Sequence, residues 1–187
     1  GINGSGKHNN WSIVSSTGRN LLDPGEEPEK NLVFLVSLCA VITAVDKYAD
    51  LLRMSAACPG NEARLGGNEA PPAIVSIFLG NTITNLLKEL AEGHTFAKAA
   101  RGELHTGVKS LPLLALDDSD RNRTSPFAFT GNKFEFRMVG SSQSIGLANA
   151  VTNAIVADVF HDFADKLEGA LDVEAVVHEI IAETWRD

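Results

Sequence analysis

The chain opens with Gly1-Ile2-Asn3-Gly4-Ser5-Gly6-Lys7-His8. Its glycines allow the backbone to approach an anion closely, while Asn3, Ser5 and Lys7 add hydrogen-bond donors. That composition suits a phosphate, but no strand precedes it here, and Lys7 is followed by His8 rather than Ser or Thr, so a plain glycine turn accounts for it as well. A second group is Lys133-Phe134-Glu135-Phe136-Arg137. A period of two places Lys133, Glu135 and Arg137 on one face and both phenylalanines on the other. Such a face is either a solvated surface laced with ion pairs or a site for anions. Arg64, Arg121 and Arg123 lie in neighbouring loops, and guanidinium forks match planar carboxylates and phosphates. Glu69 stands between Gly66-Gly67 and Pro71-Pro72. A carboxylate on a glycine-hinged loop can gate a site or accept a proton, or it can serve a surface ion pair. His8 is either a metal ligand or a hydrogen-bonded polar residue.

Several chemistries are excluded by spacing. His94, His105, His161 and His178 form no chelating pattern, and His178-Glu179 has no second histidine one turn on. Ser5, Ser12 and Ser76 lack the glycine-flanked context of a hydrolase nucleophile.

The elements that must position these groups read as follows. The Gly/Asn/Ser-rich residues 1–12 run into a β-prone stretch at Trp11–Ser15. Residues 18–30 form a charged, turn-rich loop. One long helix is predicted from Asn31 to Ala57, its first half apolar nearly all round, ended by Cys58-Pro59-Gly60-Asn61. Ala73–Leu79 reads as a buried strand and Thr82–Glu92 as an amphipathic helix closed by Gly93. Residues 94–111 are ambiguous, and Leu111–Leu116 reads as a short strand. Arg121–Thr130 reads as a loop and Lys133–Val139 as a half-buried strand. A long helix over residues 141–168 precedes a second one over Leu171–Trp185, with Asp172 as its N-cap and Glu174 in its first turn. Strands and helices follow one another without a regular βαβ alternation, which points to an α+β fold.

With 187 residues, 44% hydrophobic and 21% charged, the chain has ordinary globular composition and enough apolar material for a core, which excludes disorder as its main state. A net charge of -8 excludes nucleic acid and anionic membrane as general partners. The apolar run Leu32–Val45 is too short for a bilayer, which needs about 20 residues. Cys39 and Cys58 are too few for a disulfide framework, and this usage suits a reducing, cytoplasmic setting. A chain that begins with Gly1 in dense motif and ends in uncapped helix is expected to be an internal piece of a longer protein.

Four blocks together resemble glutamine synthetase, most closely the large type III form. Asn3-Gly4-Ser5-Gly6-Lys7-His8-Asn9-Asn10-Trp11-Ser12 is similar to the family's glycine-rich signature. Arg64-Leu65-Gly66-Gly67-Asn68-Glu69-Ala70-Pro71-Pro72 resembles its mobile glutamate flap. Arg121-Asn122-Arg123 and Phe134-Glu135-Phe136-Arg137 resemble its arginine and ExR blocks. The resemblance covers the whole of residues 1–187 and implies part of a catalytic domain, α+β, with an antiparallel-rich sheet backed by long helices. It implies ATP-dependent formation of glutamine from glutamate and ammonia through γ-glutamyl phosphate, with Mg²⁺ or Mn²⁺ and a homo-oligomer of stacked rings.

The same resemblance assigns roles. Asn3 and Gly4 match contacts to glutamate, and Arg64 and Arg137 the residues that grip its carboxylates. His8 and Glu135 match metal ligands. Ser12 and Lys133 match contacts to ATP, Arg123 the residue facing the transferred phosphoryl group, and Glu69 the flap carboxylate that takes a proton from ammonium. The family's second histidine is Asn10 here, and an arginine of the bacterial type I form falls near Ala128. A related ligase using another amine and an inactive nucleotide- or anion-binding module are the competing expectations.

Overall fold

The computed structural model describes residues 4–94, 103–104, 114–115 and 125–186. Its core is a small sheet covered on one face by helices. The sheet consists of β1 (Asn9–Trp11), β2 (Ile77–Phe78), β5 (Phe127–Phe129) and β6 (Phe134–Phe136), in the order β1-β6-β5-β2. β3 (Glu103–Leu104) and β4 (Leu114–Ala115) pair separately and antiparallel. Within the main sheet β1–β6 and β6–β5 are antiparallel, but β2–β5 is parallel. The sheet is therefore mixed, and the expected antiparallel-rich sheet is matched only in part, at two of its three pairings.

The centre of the sheet is a hairpin of two Phe-x-Phe strands. Gly131, at φ +83°, supplies the left-handed turn residue between them, and the Thr130 N–H donates to the Lys133 carbonyl at 2.8 Å. Phe127, Phe129, Phe134 and Phe136 are all buried, with ring centroids 5.0–5.7 Å apart between the two strands, and Phe129 meets Phe34 of the first helix at 6.1 Å. Each such burial contributes about 1.5–3 kcal/mol. This corrects the expectation of a loop over Arg121–Thr130, since Phe127-Ala128-Phe129 is a fully buried central strand. The predicted strand at Ala73–Leu79 shrinks to Ile77–Phe78, because Ile74 is exposed and only residues 77 and 78 find partners on β5.

The helices are α1 (Leu32–Lys47), α2 (Ala49–Ser55), the single turn α3 (Pro59–Glu62), α4 (Asn81–Ala91), α5 (Gly146–Leu167) and α6 (Val173–Arg186). α1 begins where Asn31 accepts a hydrogen bond from the Phe34 N–H at 3.2 Å. It buries Phe34, Leu35, Leu38, Cys39, Val41 and Ala44. Burial pushes the Cys39 thiol up to about 12, which makes it an inert apolar filler. Gly93, at φ +75°, closes α4 with paired Gly93-to-Leu90 and His94-to-Glu89 backbone bonds, the Schellman pattern. Asp172 caps α6 by accepting from the Ala175 N–H at 3.0 Å. Among the described residues no single helix is long and apolar enough to cross a membrane.

The helix expected over Asn31–Ala57 is broken at Tyr48, and α2 leaves α1 at 79°. The break has a tertiary cause. The Tyr48 hydroxyl donates to Asp158 of α5 at 2.5 Å, and Lys47 Nζ lies 3.1 Å from Asp158 and 3.4 Å from Asp162. α2 then delivers the chain to Asn61, a buried amide that ties three segments together. Its Nδ2 donates to the carbonyls of Ala56 (2.6 Å) and Met138 (2.8 Å), and its Oδ1 accepts from Arg64 Nε (2.8 Å).

Two outcomes follow from these contacts. The Tyr48 and Lys47 contacts hold the Asp158 carboxyl below its ordinary 3.8. Their stabilisation is present above that value and lost as pH falls through the lower native one. The melting temperature of wild type should exceed that of Asp158→Asn at neutral pH, and the gap should close in acid below about pH 4. Asn61→Ala removes partners from two buried carbonyls and a buried guanidinium, and urea unfolding should register a loss of about 3 kcal/mol.

Candidate active-site face

The register of β1 against β6 sets the site. Asn9 pairs with Phe136, Asn10 with Glu135 and Trp11 with Phe134. Side chains alternate, so His8 and Asn10 share a face with Glu135 and Arg137, opposite the phenylalanine core. His8 Nδ1 lies 2.7 Å from Glu135 Oε1. Arg137 places both Nε and Nη2 2.8 Å from Glu135 Oε2. One carboxylate thus bridges an imidazole and a guanidinium. Side-chain exposure rises from 4% at Arg137 through 13% at Glu135 to 33% at His8, so the row runs from the protein interior to its surface. The same-face placement read from Lys133-Phe134-Glu135-Phe136-Arg137 is the one observed.

The opening loop is held against this face. Gly6, at φ +75°, packs so closely that a Cβ would come within 2.5 Å of the Val139 carbonyl and 2.8 Å of Arg64 Nη1. The Lys7 N–H donates to the Val139 carbonyl at 2.8 Å, and Lys7 Nζ donates to the Gln143 carbonyl. Arg64 is 3% exposed, and each nitrogen of its guanidinium group reaches a neutral oxygen. Nε reaches Asn61 Oδ1 (2.8 Å), Nη2 the Met138 carbonyl (2.8 Å) and Nη1 the Gly4 carbonyl (3.3 Å). Burial pulls its pKa down, yet an arginine stays charged in any protein. Arg64 therefore braces the glycine loop, and its positive charge sits behind Gly4. A cavity of about 220 Å³, lined by Cys58, Gly60, Asn61, Arg64, Gly140 and Gln143 among others, opens beside it.

The Glu69 loop is closed at its base by a hydrogen bond from the Gly66 N–H to the Pro71 carbonyl at 2.9 Å, and tightened by Ala70 N–H to Gly67 carbonyl at 2.9 Å. Gly66 (φ +80°) and Asn68 (φ +48°) take the left-handed conformations this needs, leaving Glu69 exposed at the tip. Ser12 donates to Asn20 Oδ1 at 2.6 Å and lies 3.3 Å from the Asn132 carbonyl. One step beyond the Trp11–Phe134 pair, the register sets Ser12 across from Lys133, which is half-buried. Asn3, Arg121 and Arg123 lie outside the described residues.

The donor set fits a hard divalent cation in part. An imidazole nitrogen and a carboxylate oxygen suit Mn²⁺ or Mg²⁺, and His8 Nδ1 and Glu135 Oε1 converge at 2.7 Å, so an ion taken up between them would replace their mutual contact with a bond to each. Among the described residues no group of three or more His, Cys, Asp or Glu closes around a metal, so the pair offers two corners of a larger shell. Sequence reasoning missed Asn61, Asn149 and Asn153. The last two receive hydrogen bonds from Asn9 (2.8 Å) and Trp11 (2.8 Å) respectively. Their spacing of four on a helix was the available signal.

No family model matches the chain. Curated relatives do. The chain is 47% identical over 98% of its length to "Type-3 glutamine synthetase" of Dictyostelium discoideum, and 46% identical over 98% to "Glutamine synthetase" of Bacteroides fragilis (strain YCH46). It is 56% identical over 72% of its length to "Glutamine synthetase" of Butyrivibrio fibrisolvens. The matches cover 25%, 26% and 19% of those proteins, so the chain spans about a quarter of the length of the relatives it matches. At 46–47% identity over 98% of its length, the chain belongs to the glutamine synthetase family.

Proposed function

We propose that residues 1–187 form part of the catalytic domain of an ATP-dependent glutamate–ammonia ligase, whose complete form makes glutamine. One observation carries this reading. A chain 47% identical to a type-3 glutamine synthetase gathers His8, Glu135 and Arg137 on one face of its sheet. In the reaction a carboxylate oxygen of glutamate attacks the γ-phosphorus of ATP and ADP departs. Ammonia then attacks the acyl phosphate, loses a proton and expels phosphate.

The obstacle is electrostatic. Two anions brought to about 4 Å repel by about 4 kcal/mol near a protein surface. A bound divalent cation supplies charge neutralisation to the phosphoryl oxygens, and His8 and Glu135 are the residues here that would hold it. Arg137 both orients Glu135 and offers a guanidinium to a glutamate carboxylate. Arg64, locked behind Gly4, lends positive charge to the loop where Asn3 and Gly4 meet glutamate. Ser12, Lys133 and Arg123 serve ATP and the transferred phosphoryl group. Glu69, on its closed loop, shields the acyl phosphate and takes the ammonium proton. The remaining metal carboxylates and the ammonium-binding aspartate belong to chain outside these residues. The complete protein is a cytoplasmic homo-oligomer of stacked rings.

In the complete protein, Glu135→Ala and Arg137→Ala should each lower ATP- and metal-dependent glutamine formation by about 100-fold or more, while residues 1–187 alone should form none. Unchanged glutamine formation in either variant would contradict the assignment.

A further inference from the structure

β1 is an edge strand of only three residues, paired on one side with β6. It also carries the junction to His8. A one-residue slip in such a strand would turn every side chain to the opposite face, and short edge strands specify register weakly. Something else must fix it. The inward-facing residues of β1 are Asn9, 6% exposed, and Trp11. Asn9 Nδ2 donates to Asn149 Oδ1 at 2.8 Å, and Trp11 Nε1 donates to Asn153 Oδ1 at 2.8 Å. Both acceptors lie on α5, four residues apart. Two strand residues advance about 6.6 Å and four helical residues about 6 Å. The two repeats match, so two parallel bonds can form at once only when Asn9 and Trp11 both face the helix. A slipped strand would present His8 and Asn10 instead, and would leave the Trp11 N–H and the α5 amides mispaired.

We infer that Asn149 and Asn153 are positioning residues that read the register and rotation of β1 and thereby aim His8 at Glu135. This rests on the functional reading above and deepens it, since α5 touches neither the metal site nor the substrate face through these amides. Removing Asn149 leaves the Asn9 amide buried without its acceptor, free to rotate the strand. Outer residues of this kind typically alter metal affinity by about 10–100-fold.

The test uses the complete protein and Mn²⁺ as probe, with free Mn²⁺ read by electron paramagnetic resonance and glutamine formation assayed in parallel. Asn149→Ala should weaken Mn²⁺ binding by about 10-fold. Asn149→Asp, which keeps the acceptor oxygen, should restore it to near wild type. Asn153→Ala, a change at an exposed position that leaves folding intact, should weaken it by a smaller but measurable factor. Thr152→Val serves as a control on the same helix. It removes the buried hydroxyl that bonds the Ala148 carbonyl at 2.8 Å, and should lower the melting temperature without moving Mn²⁺ affinity. Wild-type protein that makes glutamine, with Asn149→Ala and Asn153→Ala binding Mn²⁺ as tightly as wild type, overturns the positioning role and leaves the functional reading standing. An equal loss in Thr152→Val, or no rescue by Asn149→Asp, also overturns it. Wild-type protein that neither binds Mn²⁺ nor makes glutamine overturns the functional reading.

Discussion

The carboxylate of Glu135 sits between the imidazole of His8 and the guanidinium of Arg137. This is the interaction on which the rest of the architecture bears. It requires β1 and β6 to pair antiparallel in one register, because only then do residues 8, 135 and 137 share a face. The opposite face must be apolar enough to hold that register. The interlocked phenylalanines of β5 and β6, packed on α1, meet the requirement. Polar chemistry on one side and aromatic burial on the other are therefore two consequences of the same period-two ladder.

A second constraint acts on the glycine loop. Arg64 is buried with a neutral oxygen on every nitrogen. Its positive charge is left to act on whatever approaches Gly4, and desolvation makes that charge act more strongly. The arrangement depends on Asn61, whose amide fixes the guanidinium and the end of the β6 segment together. It also depends on the absence of a side chain at Gly6, where the loop backbone lies against Val139 and Arg64.

What the sequence made legible were features with local causes. Alternation in Lys133–Arg137, the glycine closing α4 and the aspartate capping α6 all express themselves within a few residues. So do the motif blocks that carry the family resemblance. The features that were not legible have distant causes. The break at Tyr48 is made by Asp158, 110 residues away, and no helix propensity near residue 48 announces it. Phe127-Ala128-Phe129 was obscured by Pro126 and the arginines before it, although the matching Phe134-Glu135-Phe136 across a Thr-Gly turn is a hairpin signal. Ile74 looked apolar enough to be buried, but Pro71 and Pro72 hold the preceding chain outside the sheet, so pairing begins only at residue 77. Asn61 acts by satisfying carbonyls at Ala56 and Met138, which are invisible until the chain is folded.

The central claim is that His8 and Glu135 serve one ion. It is tested most directly by a double-mutant cycle on Mn²⁺ affinity in the complete protein, comparing His8→Ala, Glu135→Ala and the pair. If both side chains hold the same ion, each single change weakens binding sharply and the double change adds little to the larger of the two. Losses that simply add, or a single change that leaves affinity at the wild-type value, would contradict it.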